Sequence, residues 1–176
     1  IKEVAQSFTT EDIVSLQKQM LEHGIYPSRI ELGTIGTIGS LQNALIWKGA
    51  NSPSLFLEIE SSFSNAVIIG PKGIEMSRRI ETGSKDIALA LKEEYNLKDE
   101  GAAYKLLSSK DFDFSSISRK ILRRLMRELQ SSIGYYEVQT GQSVSWIHCS
   151  SRTASMDWLE ASVGDSLNLE PFALDL

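Results

Sequence analysis

The sequence predicts an α/β fold in which a three-stranded antiparallel meander leads into helices. Three strand-like segments follow one another at 55–60, 66–69 and 73–80, and only short turns separate them. The last turn, "GPKG", has proline in second place and glycine at both ends, as tight turns favour. After residue 82 the apolar residues recur at helical spacing. Strands joined by short turns form a meander, and the helices after it complete the α/β class.

A helix is predicted shortly after the first residues, "IKEVAQSF", which alternate loosely and are typical of a strand. Thr9 or Thr10 can cap this helix, and acidic Glu11 and Asp12 are favoured in its first turn. Its apolar stripe consists of Ile13, Leu16, Met20 and Leu21. His23, which suits a helix end as a cation, and Gly24 end the helix. The segment "RIELGTI" (29–35) is then predicted to be a second strand.

A glycine-containing tripeptide repeats in "GTIGTIGS" at 33–40. The segment lacks the G-x-G-x-x-G spacing and the trailing Lys-Ser/Thr of a phosphate-binding P-loop. Such glycines more often let a strand pass closely into a helix. We therefore predict a loop here, followed by a short helix around Leu41, Ala44 and Leu45.

The chain after the meander predicts helices, one further strand and a strand-like tail. A helix over 82–97 places Ile87, Leu91 and Tyr95 on one face, and a shorter helix is predicted after it. A polar loop then leads to a long helix from about residue 115 to residue 140. The remaining predictions are a strand over 144–150, a helix over 153–164 and a strand-like tail over 167–176.

The long helix is strongly amphipathic, with an apolar arc and a basic arc. The apolar arc predicts a face in the core and consists of Ile121, Leu122, Leu125, Met126, Leu129, Ile133 and Tyr136. The basic arc consists of Arg119, Lys120, Arg123, Arg124 and Arg127. Such an arc is either a solvated face beside the core or a docking surface for an acidic partner or membrane-proximal phosphates.

Composition limits the possible classes of protein. The 176 residues suit one domain or two small lobes, and 18 basic against 23 acidic residues give a net charge of −5. That balance argues against a general nucleic-acid binder. The single cysteine cannot form an internal disulfide, and we find neither a membrane-spanning run nor a signal peptide. Because the chain begins at Ile1 within a predicted strand, we expect it to be a fragment of a longer protein.

Two carboxylates and three serines meet where the first strand of the meander turns into the second. Glu58 and Glu60 are two residues apart on a strand, so their side chains point to the same side. Paired carboxylates can bind Mg²⁺ or divide acid and base roles in a metal-dependent nuclease, with further carboxylates such as Asp86 and Asp157. The competing interpretation is a polar edge of the sheet.

The histidines and the cysteine predict no nucleophilic site. His148 and Cys149 are neighbours in a predicted strand and therefore face opposite sides, which makes them poor joint ligands. No Ser-His-Asp or Cys-His arrangement can be assembled from His23 and His148. We predict that Cys149 is a buried structural residue.

Three segments carry a resemblance to a known family. The order of meander, helices, strand and helix is similar to half of an actin-like domain. Locally, the chain resembles the type IV pilus assembly protein M (PilM) family, which is related to the cell-division protein FtsA. The similar segments are "TTEDIVSLQKQMLEHGIYPSRIEL" (9–32), "SRRIETGSKDIALALKEEYNLKDEGAAYKLL" (77–107) and "MRELQSSIGYYEVQTGQSVSWIHCSS" (126–151).

The resemblance implies a partial actin-like (ribonuclease-H-like) fold with a spoiled nucleotide pocket. In an actin-like ATPase an Asp-x-Gly loop joins the first two strands of the meander, but here Glu58 stands at the aspartate position and Glu60 at the glycine position. "CSSRT" (149–153) replaces the Gly-Gly run that would contact adenine. The implied vestigial pocket consists of Glu58, Glu60, Ser61, Ser62, Ser150 and Ser151. Neither a catalytic residue nor a nucleotide or metal cofactor is expected.

The resemblance also implies a function, partners and a location. The chain would be a non-enzymatic cytoplasmic scaffold, peripheral at the inner membrane, in the assembly platform of a type IV pilus or a related secretion system. Its implied partners are the cytoplasmic tail of a PilN-like membrane protein and other platform proteins, with self-association possible and no nucleic acid. The predicted partner-binding residues are Arg119, Arg123, Arg124 and Arg127. Residues 1–50 would belong to an outer or insert subdomain and 51–176 to the actin-like core.

Three alternatives stay open from the sequence. The actin-like component of the type II secretion platform is nearly as compatible with these segments as PilM. A true ATP-binding ATPase with a degenerate loop would be revealed by stabilisation with nucleotide. A metal-dependent nuclease of ribonuclease-H-like fold would be revealed by Mg²⁺-dependent cleavage.

Overall fold

A computed structural model describes residues 10–27 and 33–172. The chain divides into two compact units, Ile1–Gly36 and Thr37–Leu176. The predicted strand at 1–8, most of the predicted strand at 29–35 and the last four residues of the tail lie outside the described residues. The predicted subdomain division at residue 50 stays a prediction.

The first described helix, α1, spans Thr10–Glu22, as its capping and acidic residues predict. It ends where Gly24 takes a left-handed conformation at φ 72°. The ring of His23 donates a hydrogen bond from Nδ1 to the Gln19 carbonyl at 2.8 Å. Among the described residues no side chain of α1 is buried, so its apolar stripe lies at the surface of this part of the chain.

The glycine repeat forms a helix, α2, over Gly33–Trp47, and the predictions of a loop at 33–40 and of a strand at 33–35 are wrong. Glycine in a helix interior costs about 1 kcal/mol relative to alanine. Ile38, Leu41 and Leu45 offset that cost because they are buried on one face. They pack in a cluster against one face of the sheet. Tertiary packing therefore outweighs the local preference of the glycines.

The predicted meander is confirmed by three antiparallel strands. They are β1 (Ser54–Ile59), β2 (Ser64–Gly70) and β3 (Gly73–Ile80). Gly73 closes the second turn at φ 126°, a conformation that glycine adopts without steric cost. Later in the chain come β4 (Trp146–Ser151) and β5 (Glu170–Pro171). The sheet has the order β3-β2-β1-β4-β5, and β4 lies parallel to β1.

The helices after the meander agree with the predictions in order but differ in their bounds. Those helices are α3 (Ser84–Tyr95), α4 (Glu100–Leu107), α5 (Ser118–Ile121), α6 (Arg123–Thr140) and α7 (Trp158–Leu167). The predicted long helix is divided at Leu122, whose ψ of 0° departs from helical geometry. The last helix begins at Trp158 instead of 153. Of the tail, Glu170–Pro171 pairs with β4 within the described residues.

The main core lies between the sheet and helices α3 to α7. All seven residues of the predicted apolar arc of α5 and α6 are buried, which confirms that face. Of the three residues predicted to share one face of α3, Ile87 and Leu91 are buried, whereas Tyr95 is 43% exposed and meets Phe112 edge to face. A second, smaller cluster joins α2 to the other face of the sheet. The sheet is therefore covered on both faces.

Polar contacts attach α6 to β3 along one side of the core. Arg78 donates from Nη2 to the Glu128 carboxylate at 2.5 Å and from Nη1 to Ser132 Oγ at 3.0 Å. Tyr136 donates its hydroxyl to the Glu75 carboxylate. Burial and this carboxylate raise the pKa of Tyr136 to about 12. The folded protein therefore holds the phenolic proton more tightly than the unfolded chain does.

We expect a loss of stability at high pH that depends on Tyr136. Because its folded pKa is raised, the stabilisation is complete below the ordinary tyrosine value near 10 and is lost as pH rises towards about 12. Tyr136→Phe should remove that part of the alkaline decline in the free energy of unfolding, measured by urea denaturation across this range. Tyr135→Phe, at an exposed tyrosine of the same helix, is the matched control. Identical alkaline profiles for the wild type and Tyr136→Phe would contradict the assignment.

Candidate functional site

The candidate site lies where the parallel strands β1 and β4 end. In open α/β sheets, ligands bind beyond the carboxyl ends of the strands. Two loops occupy that position here: the β1–β2 loop (residues 60–63) and the β4–α7 loop (residues 152–157). Glu58 is the register partner of Ser150, and Ile59 that of Ser151. The two halves of the pocket predicted from the sequence are therefore adjacent.

Glu58 lies inside the sheet and not at a polar edge. Its strand β1 is paired on both sides, with β2 and β4. The residue is only 4% exposed, and its carboxylate accepts a hydrogen bond from Asn65 Nδ2 at 3.2 Å. The interpretation as a polar sheet edge is wrong for Glu58 because both faces of β1 are covered.

Glu60 connects the β1–β2 loop to the β4–α7 loop. Its carboxylate lies 3.4 Å from Nη1 of Arg152. Its backbone N–H donates to the Phe63 carbonyl at 2.9 Å, which closes the turn. Ser61 and Ser62 are exposed at the tip of this turn. The glutamate therefore directs a negative charge towards the neighbouring loop.

The β1–β2 loop also covers the beginning of α3. The N–H groups of Ser84 and Lys85 donate to the carbonyls of Glu60 and Ser61 at 2.8 and 3.0 Å. Thr153 donates from Oγ1 to Ser84 Oγ at 2.5 Å. Helix N-termini are ready sites for anions because their first N–H groups lack partners in the helix. Here two of those groups are occupied by the β1–β2 loop.

Gly83 permits this close contact, and we expect Gly83→Ala to destabilise the protein by about 1–3 kcal/mol through overpacking. A Cβ atom at Gly83 would lie 2.4 Å from the Ser61 carbonyl oxygen and 2.6 Å from the Phe63 nitrogen, both backbone atoms. Gly134→Ala is the control, because a Cβ there meets no atom within 4 Å. Urea denaturation measures both variants. Equal stability of Gly83→Ala and the wild type would show that the loop does not pack as described.

A cleft of about 360 Å³ opens beside the end of β4. It is lined by Cys149, Ser150, Ser151, Ala154, Ser155, Met156, Asp157, Leu159 and Glu160. Ser150 and Ser151 of the predicted pocket therefore line this cleft, whereas Glu58, Glu60, Ser61 and Ser62 do not. Ser151 Oγ is buried and has no hydrogen-bond partner among the described residues.

Glu160 links His148 and Cys149, two neighbouring residues of β4. Its Oε2 accepts the Cys149 backbone N–H at 2.7 Å and lies 3.4 Å from His148 Nδ1. Burial opposes the charged form of Glu160, but His148 and the Cys149 amide outweigh it and lower the pKa of the carboxyl. Burial, followed by the charge of Glu160, raises the pKa of the Cys149 thiol well above its usual value. The half-buried Cys149 is thus a weak nucleophile.

His148 and Cys149 face opposite sides of β4, as predicted. His148 stacks on Phe56 in the second cluster, whereas Cys149 packs against the main core. The other carboxylates considered for a metal site are engaged elsewhere. Asp86 accepts the Gly83 N–H at 2.8 Å, and Asp157 contacts Ser155 and Lys110. Within residues 10–27 and 33–172, no group of three or more His, Cys, Asp or Glu is arranged to hold a metal ion.

Two opposite charges, those of Glu60 and Arg152, lie at this corner. Phosphate binding would require backbone N–H groups and positive charge at the β1–β2 loop. The loop instead presents the carboxylate of Glu60, and the guanidinium of Arg152 is paired with it. A carboxylate at this position repels a phosphate.

The predicted partner-binding residues lie on a different surface. Arg119, Arg123, Arg124 and Arg127 are exposed along α5 and the first turns of α6. The fifth cation of the basic arc, Lys120, is paired with Glu94. The binding role of these arginines stays a prediction.

Sequence reasoning missed Glu160, Arg152 and the contact of Thr153 with Ser84. Glu160 lies in the first turn of α7, which is an ordinary place for an acidic residue. Arg152 belongs to the segment "CSSRT", and nothing in that segment distinguishes it as a partner of Glu60. The contacts of Arg152 with Glu60 and of Thr153 with Ser84 join segments that are distant in the chain, and a single sequence has no signal for such pairs.

Comparisons with solved structures identify the fold. The chain is similar to PilM in a structure of the PilM-PilN type IV pilus biogenesis complex, with a TM-score of 0.65, 21% identity and coverage of 92% of this chain and 47% of that chain. It is also similar to the ethanolamine utilization protein EutJ from Carboxydothermus hydrogenoformans, with a TM-score of 0.58, 13% identity and coverage of 94% and 57%. An archaeal actin homolog, Ta0583, gives a TM-score of 0.53, 13% identity and coverage of 78% and 48%.

The chain therefore has an actin-like fold, as the resemblance implied, and spans about half the length of these structures. No protein-family model matches it, and a search of curated proteins finds no match. Among the described residues, no helix is both long and apolar enough to cross a membrane.

Proposed function

We propose that this chain is part of a PilM-like scaffold in the assembly platform of a type IV pilus or a related secretion system. The observation that carries the proposal is the structural similarity to PilM in complex with PilN over 92% of the chain. The three sequence segments that resemble the PilM family support it independently. The scaffold works in the cytoplasm, peripheral at the inner membrane, and its partner is the cytoplasmic tail of a PilN-like protein.

The scaffold works without nucleotide turnover. Glu60 and Arg152 support this part of the proposal, because their ion pair joins the two loops at the carboxyl ends of β1 and β4. The β1–β2 loop also occupies N–H groups at the start of α3. With the corner filled by the protein's own charges, the actin-like fold supplies a rigid surface for partners and no catalytic centre.

An ATP-binding ATPase is the second candidate, because residues 149–151, where the resemblance places the contact with adenine, line the cleft of about 360 Å³. The ATPase needs Mg-ATP at the β1–β2 loop, whereas the scaffold does not. The two candidates therefore differ in how partner binding responds to nucleotide.

Binding of the PilN-like tail tests the proposed function. The full-length protein is titrated with a fluorescent peptide in the presence and absence of Mg-ATP. The peptide has the sequence of the cytoplasmic tail of the PilN-like protein from the same genome. We expect saturable binding whose affinity Mg-ATP leaves unchanged. A scrambled peptide of equal composition is the control. Absence of binding would contradict the PilN-like partner, and a strong dependence on Mg-ATP would favour the ATPase.

A further inference from the structure

The outward face of α6 carries features that the described part of the protein does not use. At about 100° per residue, one side of the helix presents Arg123, Arg124, Arg127, Ser131, Gly134, Tyr135 and Val138. We call these residues the α6 outer face. It spans ~22 Å at 1.5 Å per residue, with the arginines in the first turns and the apolar residues in the last.

The arginines of this face are unfavourable for the helix itself. Arg123 and Arg124 lie in the first turn of α6, where the helix dipole favours anions over cations. Neither these two nor Arg127 forms an ion pair with another described residue, whereas nearby Lys120 is paired with Glu94. Stability of the fold therefore does not account for these charges.

The other end of the face exposes apolar side chains to water, which is also unfavourable for a chain without a partner. Tyr135 and Val138 are 65% and 82% exposed, although both are apolar enough to be buried at an interface. Between the two ends lies Gly134, a residue that lowers helix stability relative to alanine. A Cβ atom at Gly134 would meet nothing within 4 Å, so no described contact requires glycine there. A close approach by another molecule would explain the glycine.

Charge and shape favour a helix as the occupant. Arg123 and Arg127 are four residues apart, so their side chains neighbour each other, and a helix with carboxylates at the same spacing can pair with both. The small Ser131 and Gly134 then allow the two backbones to approach, and Tyr135 and Val138 meet apolar residues further along. Insertion into a membrane is disfavoured because the apolar face of α6 is already buried in the core.

We propose that the α6 outer face binds an amphipathic helix of a partner protein, acidic at one end and apolar at the other. The site is distinct from the corner formed by the β1–β2 and β4–α7 loops. Its occupant is recognised by carboxylates against the arginines and by apolar contact with Tyr135 and Val138.

The probe is a synthetic helical peptide of about 15 residues, enough to cover ~22 Å. It carries glutamates at four-residue spacing at one end and leucines at the other, and its binding to the full-length protein is followed by fluorescence anisotropy. We expect binding that weakens with salt, and about tenfold weaker binding by the variant Arg123→Glu/Arg124→Glu. The melting temperature of this double variant should not fall below that of the wild type, since glutamates suit the first turn of a helix. Lys98→Glu/Lys105→Glu, at two exposed lysines outside α6, is the charge-matched control and should bind as the wild type does.

A second variant, Gly134→Leu, changes no charge and should also abolish binding while the protein stays folded. Failure of the peptide to bind, or an equal loss in the lysine control, would overturn the proposal. It would also be overturned if the arginines mattered only for binding to phosphatidylglycerol vesicles, which would indicate a membrane. Arginine-dependent self-association in sedimentation experiments, without peptide binding, would indicate a second copy of this chain and would equally overturn it.

Discussion

Leu129→Ala is expected to lower the free energy of unfolding by about 2–5 kcal/mol. Leu129 is 0% exposed and lies in the middle of α6, where it packs in the main core between the helices and the sheet. Truncation removes apolar contacts and leaves a cavity, because the surrounding side chains relax only in part. The effect is a large share of the stability of a domain of this size.

Urea denaturation of Leu129→Ala measures the loss directly. Val138→Ala is the matched control, because Val138 belongs to the same helix but is 82% exposed. Its effect should lie within about 0.5 kcal/mol of zero, as is usual for surface substitutions. A loss below about 0.5 kcal/mol for Leu129→Ala itself would mean that the buried face of α6 has been misassigned.

Restoring nucleotide binding at the corner formed by the β1–β2 and β4–α7 loops is expected to require more than one substitution. Glu60 places a charge and several heavy atoms where the resemblance expects glycine, and the side chains of 150–153 lie where it expects adenine to pack. Each fault should cost ~1–3 kcal/mol in nucleotide binding through an unpaired or clashing polar group. Together they amount to roughly two to four orders of magnitude in affinity.

Glu60→Gly alone should therefore recover little binding. It removes the carboxylate but leaves the β4–α7 loop in place and deprives Arg152 of its partner at 3.4 Å. A combined variant, Glu60→Gly with Ser150→Gly and Ser151→Gly, should recover more. Isothermal titration calorimetry with Mg-ATP measures the affinity of each of these variants in the full-length protein. Micromolar affinity after the single substitution would show that the side chains of residues 150–153 do not obstruct nucleotide binding.

The helical core was predictable because its signal is local. The apolar residues of α5 and α6 recur at helical spacing over many turns, and no competing pattern disturbs them. The meander was predictable for the same reason, since short turns force consecutive strands to pair. In α2 the local sequence pattern led to a wrong prediction. Its glycines favour a loop, but burial of Ile38, Leu41 and Leu45 against the sheet decides the structure.

The candidate site was predictable only in part, because its contacts join distant segments. The resemblance brought Glu58 and Glu60 together with Ser150 and Ser151, and the parallel pairing of β1 with β4 places them side by side. The burial of Glu58 follows from that pairing, which a strand pattern cannot reveal. The ion pair of Glu60 with Arg152 depends on the geometry of two loops. Sequence periodicity contains no information on such a pair.

We propose that this actin-like chain belongs to a scaffold that does not bind nucleotide. Isothermal titration of the unmodified full-length protein with millimolar Mg-ATP tests it most directly. For a scaffold we expect no measurable heat of binding, and no rise in melting temperature at the same concentration. Binding with a micromolar dissociation constant would contradict the claim and would assign the protein to the ATPases of this fold.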